Sequence, residues 1–132
     1  MNKYEMMLNN ELQKINKFPY KDIQVIDKYP LYISKKVLKV LIENACLGQN
    51  IAPIELGRKK INEIKKEWLN RYFLEVAYSC IDFSDEWEYR RLVELVILDV
   101  PELKQKVLEM GRNSENEEIR EAAEDYKDCW SL

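Results

Sequence analysis

Apolar side chains recur along this chain at the three- and four-residue spacing of helices. The widest stripe is Trp68, Leu69, Tyr72, Phe73, Val76, Ala77 and Cys80, which predicts a well-buried helix and the central element of the core. A second stripe, Trp87, Tyr89, Leu92, Val93, Leu95, Val96 and Leu98, predicts another mostly buried helix that Asp82 or Ser84 can cap. Upstream, Val37, Leu38, Leu41, Ile42, Ala45 and Cys46 form a third stripe, with Ser34 placed to cap it and Gly48 to stop it. Trp68, Leu69, Phe73, Val76, Leu92 and Val96, on the two widest stripes, are the expected core residues.

Five weaker segments complete the pattern. Leu8 or Met7, Leu12 and Ile15 predict a short opening helix from about Tyr4 to Ile15. Between Lys17 and Ser34 the period is lost around Pro19 and Pro30, so a packed connector with one helical turn is expected. Pro53 suits the first turn of a helix carrying Ile54, Leu56, Ile61 and Ile64. Gly57 interrupts it, marking a helix start, a bend or the close approach of a neighbour. Near the end, Asp99-Val100-Pro101-Glu102 predicts a helix start and Gly111 its stop. Ser114-Glu115-Asn116-Glu117 reads as a capping box for a last helix with Ile119, Ala122, Ala123, Tyr126 and Trp130 inward.

Four helices between Lys66 and Trp130, joined by short connections, would be roughly antiparallel and could stack as hairpins. The alanine pair in Arg120-Glu121-Ala122-Ala123-Glu124-Asp125 resembles the first helix of a HEAT repeat, a helical pair of about 40–47 residues. The expected fold is therefore all-α, a short HEAT-like stack of antiparallel hairpins, with an irregular helical bundle as the alternative.

Composition supports helices: 46% of residues are hydrophobic and 34% charged, with only 3 Gly and 4 Pro. A chain of 132 residues suits one domain spanning residues 1–132. No apolar run has the length of a secretion signal or a membrane span, so a cytoplasmic protein is expected. Cys46, Cys80 and Cys129 are odd in number and far apart, which fits neither a disulfide framework nor a metal knuckle; two of them are expected as core filler. Histidine is absent, which removes the commonest general base and zinc ligand. No metal or other cofactor and no catalytic residue is expected.

Charge changes the picture most. Residues 1–81 hold 14 Lys and Arg against 9 Asp and Glu, a balance of +5, whereas residues 82–132 hold 7 against 15, a balance of −8. An acidic C-terminal half can steer a basic protein into contact. The carboxylates expected to make that contact are Asp85, Glu86, Glu88, Glu117, Glu118, Glu121 and Asp125, with several of them expected instead to cap or complement helix starts. The cluster Arg58-Lys59-Lys60 with Lys65 and Lys66 lacks a nucleic-acid recognition motif and reads as the wet side of an amphipathic helix, able to pair with a neighbouring helix. Neither nucleic acid nor membrane is an expected partner.

From about residue 50 to 126 the chain resembles bacterial polymorphic-toxin immunity proteins, including those of contact-dependent growth inhibition. The resemblance lies in Ile54-Glu55-Leu56-Gly57-Arg58 with Ile61, and in Glu67-Trp68-Leu69. It continues through Asp85-Glu86-Trp87-Glu88-Tyr89-Arg90-Arg91-Leu92 and Glu118-Ile119-Arg120-Glu121-Ala122-Ala123-Glu124-Asp125-Tyr126. It implies a small cytosolic antidote that binds the toxic C-terminal domain of a delivered effector. Many such toxins are nucleases and therefore basic. A helical adaptor without a toxin partner is the alternative, and a histidine-free enzyme using Asp85, Glu86 and Glu88 in a cleft ranks third.

Overall fold

A computed structural model describes all of residues 1–132 and contains helices and turns but no strand. The first helix, α1 (Lys3–Gln13), starts one residue earlier than its apolar stripe suggests. Asn2 accepts from the Glu5 amide at 2.9 Å, and the Glu5 carboxylate accepts from the Asn2 amide in return. Leu8 and Leu12 point into the core, and the chain leaves α1 through Asn16 and Lys17, both in the left-handed region at φ 51° and 56°. The irregular connector contains a kinked 3-10 helix, Tyr20–Lys28, which buries Ile23 and Ile26.

Helix α2 (Leu31–Ala45) begins directly after Pro30, not at Ser34. Ser34 is buried inside the helix, where its hydroxyl donates to the Ile26 carbonyl at 2.7 Å and ties the 3-10 segment to α2. Gly48, at φ 57°, turns the chain after α2 as expected. Helix α3 (Ile51–Asn62) runs through Gly57 without a break. The glycine serves close packing, since a Cβ there would lie 2.6 Å from the Ala45 backbone nitrogen.

Helices α4 (Lys66–Cys80) and α5 (Glu86–Asp99) exchange the roles predicted for them. α4 buries Leu69, Phe73, Val76 and Ala77 against α2, but Trp68 and Tyr72 are only half-buried and Tyr78 is exposed. α5 is the central element. It buries Tyr89, Leu92, Val93, Leu95, Val96 and Ile97, and touches α2, α3 and the two helices that follow it. A 3-10 turn, Pro101–Leu103, leads into α6 (Lys104–Arg112), and α7 (Glu117–Tyr126) closes the chain.

Three local signals play other parts than their spacing suggests. Asp99 caps nothing: it is the buried last residue of α5, accepting from Asn62 Nδ2 at 2.8 Å and from Lys66 Nζ at 3.1 Å. Gly111 lies within α6 rather than ending it, because a Cβ there would come 2.1 Å from the Tyr89 hydroxyl. Asn116, not Ser114, caps α7, while the Ser114 hydroxyl accepts from the Asn116 amide at 3.0 Å. Trp130 is also not the inward anchor expected of it. It is 67% exposed, although the Lys104 ammonium lies 3.7 Å from its ring centre.

The all-α expectation holds, and the arrangement is a bundle. α2 pairs with α3, and α6 with α7, but consecutive α4 and α5 do not pack as a hairpin, so the regular stack is interrupted at its middle. One cluster of 31 buried residues, from Leu8 to Ala123, links the helices. Of the cysteines only Cys46 is fully buried, while Cys80 and Cys129 are half-exposed; all three are free thiols.

Candidate functional site

The starts of α5 and α7 are 31 residues apart in sequence but adjacent in space. The Asn116 side-chain amide donates to the Ser84 carbonyl at 3.1 Å, joining the turn before α5 to the cap of α7. Further along, Arg90 Nη2 donates to Asp125 at 2.9 Å and Arg90 Nε to Glu86 at 2.8 Å, so one guanidinium holds α5 and α7 side by side. Two helix N-termini thus share one end of the bundle, where partial positive charge favours carboxylates.

This geometry sorts the seven predicted residues. Asp85 caps α5, accepting from the Trp87 and Glu88 amides at 2.9 and 3.1 Å. Glu86 and Asp125 are held by Arg90. Glu88 is half-buried, and burial together with nearby Asp85, Asp82 and Glu43 raises its pKa above the usual carboxylate value, against a lowering contact from the Asp82 amide. Glu117, Glu118 and Glu121 are exposed on α7 with no ion-pair partner in the chain. Glu117 and Glu121 lie one turn apart on one ridge. Of the seven, these three are the exposed carboxylates that no side chain or helix cap engages.

Asp85 and Glu88 also line a cavity of about 380 Å³ with Glu43, Leu47, Cys46 and Cys80, whereas Glu86 stays outside it. No three of the chain's carboxyl and thiol groups converge closely enough to share a metal ion. Burial pushes the Cys80 thiol up to about 12 and the Cys46 thiol higher still, which keeps both from acting as thiolates.

Most of the basic cluster is tied down internally. Arg58 pairs with Glu94, Lys60 with Glu63 at 3.0 Å, Lys65 with Asp27 at 3.1 Å and Lys66 with Asp99 at 3.1 Å. Compared with protein-family profiles, with curated proteins and with solved structures, the chain matches none.

One feature of the region has almost no signature in the sequence: the carboxylate of Glu94, which receives Arg58 from α3, Arg91 from its own helix at 2.9 Å and the Tyr126 hydroxyl from α7. Burial alone would raise its pKa, but the donors from Tyr126, Arg91 and Arg58 outweigh burial and hold it below the usual carboxylate value. The only sequence signal was the three-residue spacing of Arg91 and Glu94. Arg91 also donates to the Gly48 carbonyl at 2.8 Å, so this network fixes the turn between α2 and α3 against α5.

Proposed function

We propose that the chain is an immunity protein whose acidic end, formed by the starts of α5 and α7, binds the basic toxic domain of a cognate effector. The observation that carries this reading is the trio Glu117, Glu118 and Glu121: exposed and unpaired within the chain, on a helix braced by Asn116 and Asp125. Carboxylates left without internal partners give a folded domain little stability. Grouped at one end, they give it a directed field that raises the rate of encounter with a cationic protein. The resemblance of residues 50 to 126 to toxin-immunity proteins points to the same kind of partner, and many such toxins are nucleases that must themselves hold phosphates.

The test is co-expression with the product of the adjacent gene. The expected result is a toxin whose lethality this chain suppresses, with the two proteins purifying as one complex. Failure to bind or protect against a toxic neighbour, or a metabolic enzyme in that position, would end the proposal. A non-toxic basic partner would make the chain an adaptor using the same surface.

A further inference from the structure

The cavity beside the acidic end has a composition of its own. Three carboxylates, Glu43 from α2 and Asp85 and Glu88 from the start of α5, line it with no lysine or arginine among them, and Glu43 has no ion pair. The rest of the lining is Leu47, Gly48 and the thiols of Cys46 and Cys80; the Cys46 side chain is buried and makes no hydrogen bond. Two apolar side chains stand exposed nearby: Leu47, in the lining, at 49%, and Trp87, outside the lining and joined to its rim through Arg91, at 39%. Arg91 holds the rim in shape, since its Nε donates to the Gly48 carbonyl at 2.8 Å while its guanidinium lies 5.3 Å from the Trp87 ring centre.

An exposed leucine and a nearby exposed tryptophan beside a concave lining whose only charged members are acids form the pattern of an anchor pocket at a protein interface, not of a solvated flank. A lysine or arginine side chain matches both halves, because its aliphatic stem can lie on Leu47 and the thiols while its charged head reaches the carboxylates. A bare metal ion does not match, as the acids and thiols do not converge on one point. Glu88 is already crowded by like charge, which an incoming cation would relieve.

We propose that this cavity is the anchor site for one lysine or arginine side chain of the bound protein, whose apolar neighbour covers Leu47 and Trp87. The inference rests on the protein-binding reading above but concerns a different set of residues from the trio on α7. Acetyl-leucyl-arginine amide is the probe, titrated into the isotope-labelled full chain and followed by amide chemical shifts, with its norleucine analogue and calcium chloride as controls.

Saturable shifts at Glu43, Gly48 and Glu88 are expected with the arginine peptide only. The Glu43→Gln/Glu88→Gln variant, checked for an unchanged melt, should bind it at least about 5-fold more weakly. Equal shifts from the norleucine peptide, a response to calcium without one to peptide, or no saturable response would each overturn the proposal. Should the full partner complex form but ignore that double substitution, this inference fails while the acidic-end reading stands. If no complex forms with any partner, the reading itself falls.

Discussion

Gly111 shows how much a single missing methyl group can decide. A Cβ at this position would sit 2.1 Å from the Tyr89 hydroxyl and 2.9 Å from the Ala123 methyl, and Tyr89 is fully buried with its hydroxyl donating to the Val107 carbonyl at 2.8 Å. Gly111→Ala should therefore destabilise the fold by about 1–3 kcal/mol through overpacking. Tyr89→Phe combined with it should cost less than the sum of the two single changes, because removing the hydroxyl clears the tightest contact. Additive denaturation midpoints for the pair would place the tyrosine elsewhere. Glycines of this kind are visible in a sequence but ambiguous. At Gly57 and Gly111 the letter reads equally as a helix end or as room for a neighbour, and the neighbours, Ala45 and Tyr89, lie in other helices. Ser34 is ambiguous for a related reason, since its hydroxyl satisfies the distant Ile26 carbonyl rather than a helix start.

Glu94 and Lys104 are polar groups that tie distant parts of the chain together. Glu94 joins α3, α5 and α7 from a site only 14% exposed, and Glu94→Gln should cost about 1.5–3 kcal/mol at neutral pH by weakening its charged hydrogen bonds. Its pKa in the folded chain lies below the ordinary 4.5, so its contribution is complete above that value and disappears as pH falls through the folded pKa. Thermal melts of the two proteins should accordingly differ at pH 7 and converge in strong acid; a gap independent of pH would contradict the network. Lys104, 1% exposed at the start of α6, directs its ammonium at the Lys127 and Cys129 carbonyls and at the Trp130 ring. Lys104→Met should release residues 127–132, seen as faster amide exchange there with the rest of the bundle protected as before. Exchange unchanged from wild type would show that the lysine does not hold the tail. The helices themselves were largely legible in the sequence, because each carries enough apolar repeats to be buried on one side. Their pairing was not, since short connections predicted an α4–α5 hairpin, whereas α5 spends its apolar surface on four other helices.

For the molecule as a whole, charge segregation sets the expected behaviour. Reversing Glu117, Glu118 and Glu121 together to Lys should slow association with a basic partner by about 10-fold or more and flatten its dependence on salt, while the fold persists with a loss of about 1–2 kcal/mol from cations in the first turn of α7. Association rates unaffected by that triple reversal would show that the acidic end is not where the partner arrives. The sequence disclosed the imbalance and named the carboxylates, but it could not tell which were already occupied. Arg90 reaches Glu86 one turn away and Asp125 on another helix, and only the second contact depends on the fold. The cavity under Leu47 was invisible for the same reason, as its acids come from the end of α2 and the start of α5. Helix α7 carries a last consequence. Its inward side, Ile119, Ala122 and Ala123, is locked against α5 and α6, while the exposed Glu117, Glu118 and Glu121 on its outward side add no more than the weak attraction of carboxylates for a helix start. Lineages could rewrite those three positions almost freely, exchanging one partner for another, without the mutations ever passing through an unfolded intermediate sequence.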